Sequence, residues 1–100
     1  MQGILKVKQV VDKNPQNAYG QFILALGGKK SGQYDKAIER LLIVVSLQPS
    51  NLEAMVHLAE CYELANQKED AIQWYTKVKD LVNVPDAKAA ITKRIKELKK

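Results

Sequence analysis

The chain of 100 residues has one cysteine, Cys61, and one histidine, His57. A lone thiol builds no disulfide framework, and this pair falls short of the three or four ligands that zinc takes from a protein. Aromatic residues make up only 6% of the sequence, too few beside the lysines to form a stacking platform for single-stranded nucleic acid. No unbroken apolar run, Leu41 to Val45 included, exceeds five residues, far short of the roughly 20 a membrane helix needs. Lys6, Lys8, Asp12 and Lys13 interrupt the N-terminal segment, so a secretory signal is not expected there. A phosphate-binding loop is missing as well: Gly27-Gly28-Lys29-Lys30-Ser31 has neither a preceding strand nor the required glycine spacing.

What remains is the composition of one soluble globular domain, 46% hydrophobic and 27% charged. Such a chain buries roughly 60–65% of its unfolded surface, enough for one continuous core held by packing alone. Charge is unevenly spread. Of the net +5, residues 86–100 carry +4, with six Lys and Arg against Asp86 and Glu97. The basic balance therefore describes a tail rather than a nucleic-acid-binding surface.

An offset of 34 residues relates Pro15 to Pro49, Asn17 to Asn51, Leu24-Ala25 to Leu58-Ala59 and Ala37-Ile38 to Ala71-Ile72. It also links Val10, Val44 and Val78, and Ile4, Ile38 and Ile72. Matches concentrate on small and apolar positions while charged ones drift, so the chain is built from a repeated unit. Apolar residues within each unit recur at three and four: Ala37, Ile38, Leu41, Val44, Val45 and Leu47, then Met55, Leu58, Ala59 and Tyr62. That period makes the Leu41–Val45 run a buried helix face rather than a strand. Gly32 and Asn66 occupy equivalent breaks and tolerate the left-handed conformation that closes a helix. The expected elements are six helices, about 3–14, 17–30, 34–48, 51–65, 68–82 and 86–99.

The sequence resembles the tetratricopeptide repeat, W-x2-L-G-x2-Y…A-x3-F…P, over nearly its whole length. One repeat reads Met55-x2-Leu58-Ala59-x2-Tyr62, then Ala71-x3-Tyr75, with Pro85 two residues beyond the usual proline position. The preceding one reads Gln21-x2-Leu24-Ala25-x2-Gly28, then Ala37-x3-Leu41 and Pro49. Gly3-x3-Val7 followed by Pro15 is similar to the second half of an earlier repeat. Gln21 and Gly28 depart from the pattern, standing where a large apolar and an aromatic residue are usual. The resemblance implies an all-α, right-handed solenoid of antiparallel helix pairs in one domain, residues 1–100. Its parts would be a half repeat at 3–14, repeats at 17–48 and 51–82, and a capping helix at 86–99. Ala25 would face Ala37, and Ala59 would face Ala71, letting each pair approach closely. For Gly27-Gly28 two readings stand: a weakened or kinked helix end, or a close approach of backbone to a partner.

In this family the first helix of each pair lines a concave binding face. The resemblance assigns to it Tyr19, Phe22, Ile23, Leu26, Lys29 and Lys30, and then Glu53, Val56, His57, Glu60, Glu63 and Leu64. The first set is apolar and the second acidic, which suits an amphipathic partner segment carrying basic residues. The plainer alternatives are that the apolar side chains cover a neighbouring helix and that the glutamates are ordinary solvated surface. The family's carboxylate clamp is not expected, because Phe22, Leu26, His57, Ala87 and Ile91 supply no cationic donor.

His57 and Cys61 share a helix face at i, i+4, but no other His or Cys joins them, and Cys61 reads as a small buried hydrophobe. No catalytic residue, metal or cofactor is therefore assigned. Trp74 is expected to pack on the outer face. The last helix turns Ala87, Ala90, Ile91, Ile95 and Leu98 inward and its lysines outward, as a solubilising cap does; nucleic acid or an anionic membrane is the lesser alternative. The reading is a non-enzymatic module, soluble and intracellular, cut from a longer protein, that binds a protein or peptide. The alternative is a structural element whose open N-terminal end, at Val7 and Val11, drives homo-oligomerisation. Neither the partner nor the compartment is legible.

Overall fold

A computed structural model describes residues 16–100; the expected half repeat, with Val7 and Val11, lies outside them. Five helices follow one another among the described residues: α1 (Ala18–Lys30), α2 (Tyr34–Leu47), α3 (Leu52–Leu64), α4 (Lys68–Leu81) and α5 (Pro85–Leu98). Consecutive helices pack on each other, α1 on α2 and α3 on α4 most extensively, in an elongated body of 40 × 26 × 19 Å. No described helix is long and apolar enough to cross a membrane.

The repeat is written most clearly in the helix ends. Asn17 and Asn51 are N-caps whose side-chain oxygens accept the backbone N–H of Gly20 (3.0 Å) and Ala54 (2.9 Å). At the other ends, Gly32 (φ 83°) and Asn66 (φ 65°) take the left-handed conformation. The N–H of Gln33 donates to the Gly28 carbonyl and that of Gly32 to Lys29; Gln67 and Asn66 repeat both bonds to Tyr62 and Glu63. These are paired Schellman closures, so α1 and α3 stop at equivalent residues. Pro85, at the start of α5, begins that helix where a missing N–H costs nothing.

Ala25, Ala37, Leu41, Val44, Ala54, Leu58 and Cys61 are fully buried in one cluster, which joins α1 and α2 to α3. Ala59 and Ala71 are fully buried in a second, with Tyr75 and Ile95. The alanines thus sit inside the packed contacts between helices. Gln21 is buried at the position where its counterpart Met55 is apolar, and its amide oxygen accepts Nη1 of Arg40 from α2 at 3.0 Å. A charge-assisted hydrogen bond replaces apolar contact at this repeat position. Helix α1 runs unbroken through Gly27-Gly28 to Lys30. A Cβ on Gly28 would lie 3.4 Å from the Gln33 carbonyl oxygen and 3.6 Å from the Ala37 Cβ. The close approach at Gly28 is to the chain's own Gln33 and Ala37, at the start of α2.

The Leu41–Val45 run is buried only in part. Leu41 and Val44 are inside, whereas Leu42 and Ile43, like Leu47, are exposed by 37–38%. A helix advances 100° per residue, so five consecutive apolar side chains cannot all face one neighbour. Trp74 is half-buried, packs on both clusters, and carries the Lys77 ammonium 4.2 Å from its ring centroid.

Candidate functional site

Alternation of the helices sets α1, α3 and α5 along one side of the solenoid and α2 and α4 along the other. Two ionic contacts tie the first layer across its grooves. Lys29 Nζ on α1 donates to Glu60 Oε1 on α3 at 3.2 Å. Arg94 on α5 clasps Glu63 on α3 with two nitrogens: Nε donates to Oε1 at 3.0 Å and Nη2 pairs with Oε2. Both links span 31 residues, one helical turn short of the repeat, which is the offset that faces neighbouring first-position helices towards each other.

Around Lys29 the contacts are specific. His57 Nδ1 lies 3.0 Å from Lys29 Nζ; an ammonium has no acceptor, so Nδ1 must offer a lone pair and the ring is neutral with its proton on Nε2. The Phe22 ring meets His57 edge-on, 5.7 Å between centroids and 68° between planes. Burial, then the Lys29 charge, lower the pKa of His57 below its ordinary value, and Glu60 and Glu53 only partly oppose this. At the α5 side, burial first and Glu60 second push Tyr75 up to about 12. Its hydroxyl stays protonated and donates to Glu63 Oε1 at 3.1 Å.

These contacts separate two hollows on the α1–α3–α5 side. Ala18, Tyr19, Phe22, Gln48, Asn51 and Glu53 line one, at the N-terminal ends of α1 and α3. Val56, Glu60, Glu63, Leu64, Tyr75 and Arg94 line the other, between α3 and α5. Of the residues assigned from sequence, Tyr19, Phe22 and Glu53 meet in the first hollow, and Val56, Glu60 and Glu63 in the second. His57 lies against Phe22 between them. Ile23 and Leu26 are half-buried on α1 and line neither hollow, and Lys30 is exposed at the end of that helix. Sequence reading left Glu60 and Glu63 open to a ligand's basic residue; the fold gives them to Lys29 and Arg94. Glu53 is exposed and joins no ion pair among the described residues. Arg94 and Tyr75 were missed, although opposite charges 31 residues apart were a readable signal for Arg94.

Cys61 is fully buried, and burial raises its thiol pKa, which disfavours the reactive thiolate. Among the described residues no group of three or more His, Cys, Asp and Glu is placed to hold a metal.

The neutral His57 gives a stability prediction with a definite sign. Because its pKa is lower folded than unfolded, the unfolded chain binds the extra proton first as pH falls. The stabilising contribution of neutral His57 is full above the ordinary value near 6.5, declines below it, and levels off beneath the folded value. Urea unfolding at pH 7.5 and 5.0 should therefore show a larger acid loss for wild type than for His57→Gln, which keeps an acceptor for Lys29. Equal losses would mean the ring is not held neutral.

A right-handed superhelix of antiparallel helix pairs, with this capping and this alternation, is a TPR-like helical-repeat solenoid. Residues 21–100 match the family model described as regulator of microtubule dynamics protein 1-3, and the chain belongs to that family. No curated protein matches the sequence at a significant level. Among solved structures, a mutant of MamA is 26% identical over 78% of this chain and 57% of its own, with a TM-score of 0.73. The type III secretion translocator chaperone SycD of Yersinia enterocolitica is 16% identical, with a TM-score of 0.81 over 93% of this chain and 67% of its own. A MamA RS-1 double mutant is 19% identical, with a TM-score of 0.76 over 98% and 65%. The chain thus spans little more than half of the first MamA structure.

Proposed function

We propose that the chain is a non-enzymatic protein-interaction module of tetratricopeptide type, whose concave α1–α3–α5 face receives a peptide or partner segment. The supporting observation is the make-up of that face. Apolar side chains stay in reach of solvent, Tyr19 at 72% and Leu64 at 52% exposure with Phe22 and Val56 half-buried, and they border polar groups already fixed by Lys29 and Arg94. Surfaces of this kind bind through apolar anchors and use charge for orientation. Tyr19, Phe22 and Glu53 together suit an apolar residue followed by a Lys or Arg. That SycD, a similar fold, is a translocator chaperone fits a protein-binding reading. The family description makes a protein of the microtubule apparatus the first partner to test.

A photo-reactive amino acid at Val56, on the concave side, and another at exposed Leu42 of α2, on the outer side, separate the possibilities. Cross-linking of partner from Val56 and not from Leu42 is the expected result; the reverse would move the binding surface to the outer helices. Cross-links between copies of the chain itself would instead favour the self-assembly reading.

A further inference from the structure

The apolar side of α5 is spent inside the fold: Ile95 is 8% exposed and packs with Ala59, Ala71 and Tyr75, with Ile91 and Leu98 beside it. Its other side is different. Lys88, Lys93, Lys96, Lys99 and Lys100 are all exposed, and none forms an ion pair among the described residues. At 100° per residue, Lys88, Lys99, Lys96 and Lys93 fall within an arc of about 140°. Ala89 and Thr92 are the small residues between them. The acids of α5 are too few to neutralise this face. Glu97 is shared with Arg94, whose Nη1 it accepts at 3.3 Å, and Asp86, in the first turn at the arc's edge, is the single acid of α5 outside an ion pair among the described residues, against five lysines. Four like charges therefore line roughly 16 Å of one helix side, with Lys100 just past its end.

Solubility alone does not call for so segregated a pattern, since interspersed signs serve it equally. We propose that this lysine face is a second interaction surface, distinct from the concave groove, and that its occupant is an extended acidic polypeptide segment rich in Glu or Asp. Charge complementarity selects it. An extended chain rises about 3.3 Å per residue, so five or six residues cover the strip and set a carboxylate near each ammonium. A lipid surface fits less well, because α5 has no free apolar side to insert. Nucleic acid fits less well too: the one arginine of α5 is engaged by Glu63, and no aromatic side chain stands among the lysines.

The test titrates a fluorescent ten-residue oligoglutamate by anisotropy at 50 mM and 200 mM salt, against wild type and two triple variants. Lys88→Gln/Lys93→Gln/Lys96→Gln removes three of the five lysines. Lys36→Gln/Lys68→Gln/Lys79→Gln removes the same net charge from α2 and α4. The first is expected to weaken binding about 10-fold or more and the second less than about 2-fold, with wild-type affinity falling steeply at the higher salt. Circular dichroism checks that both remain helical. Equal weakening by the two triples, or no binding to wild type, overturns the proposal. So does tighter binding of an oligouridylate or of phosphatidylserine vesicles than of the oligoglutamate under the same conditions. Phe22→Ala, in the groove, should leave the oligoglutamate titration unchanged, so the two surfaces fail or stand independently.

Discussion

Replacing Ala59 with leucine is expected to lower the unfolding free energy by about 1–3 kcal/mol, the usual cost of forcing extra carbons into a packed core. Ala59 and Ala71 are both fully buried and sit between α3 and α4, with Tyr75 and Ile95 closing the same cluster. Three added carbons have no solvent to escape into. They must push α4 away or displace Ile95, which holds α5. For a domain of this size each kcal/mol moves the melting temperature by roughly 4–8 °C. Ala90→Leu is the matched control: the apolar pattern of α5 expects Ala90 inward, but the fold leaves it exposed, so this variant should melt within about a degree of wild type. Thermal unfolding followed by circular dichroism reads both. An unchanged melting temperature in Ala59→Leu would contradict the close helix pairing.

The same alanines explain why so much of the fold could be read from the sequence. Their 34-residue recurrence reports a contact that tolerates only small side chains, and contacts of that kind leave a periodic trace. Gly32 and Asn66 leave another, because the left-handed closing residue admits few alternatives. The partition of the Leu41–Val45 run was less accessible, since composition does not say which two of five apolar residues turn outward. Gln21 was opaque for a related reason. Its burial depends on Arg40, a residue of the next helix that no repeat position marks. Within the candidate site, the pattern gave the helix faces but not the pairings. Glu60 and Glu63 look like free acids until α1 and α5 bring Lys29 and Arg94 against them.

Those pairings alter what the groove asks of a ligand. With the central glutamates engaged, the concave face is close to neutral in its middle, and Glu53 is the acidic group left at its N-terminal end. A partner's basic residue would be read there, beside Tyr19 and Phe22. The Lys29–Glu60 and Arg94–Glu63 links instead set the relative positions of α1, α3 and α5. Partly exposed ion pairs of this kind contribute little individually, about 0–1 kcal/mol, so their main effect is on geometry. Glu60→Lys would therefore disturb the shape of the groove as well as its charge, whereas Glu53→Lys breaks no ion pair among the described residues.

That distinction frames the groove experiment, whose ligand is the partner segment identified by cross-linking at Val56. A face of three short helices offers modest area, and affinity near the micromolar range is expected, about −8 kcal/mol. Phe22→Ala removes an aromatic side chain of the first hollow and should cost about 1–2 kcal/mol or more, a 5- to 30-fold loss. Most of it should appear as faster dissociation, because short-range apolar contact forms after encounter. Glu53→Lys should act on the other rate: it replaces attraction by repulsion for an approaching basic residue, so association slows and its salt dependence shrinks or reverses. Stopped-flow binding at two salt concentrations separates the two effects. Phe22 also packs on the core beside His57, so each variant is first shown to keep its helical signal and a cooperative melt. If both variants are folded and bind with wild-type rates, the partner does not lie across Tyr19, Phe22 and Glu53. The second hollow, between Val56, Leu64 and Arg94, would then be the surface to probe.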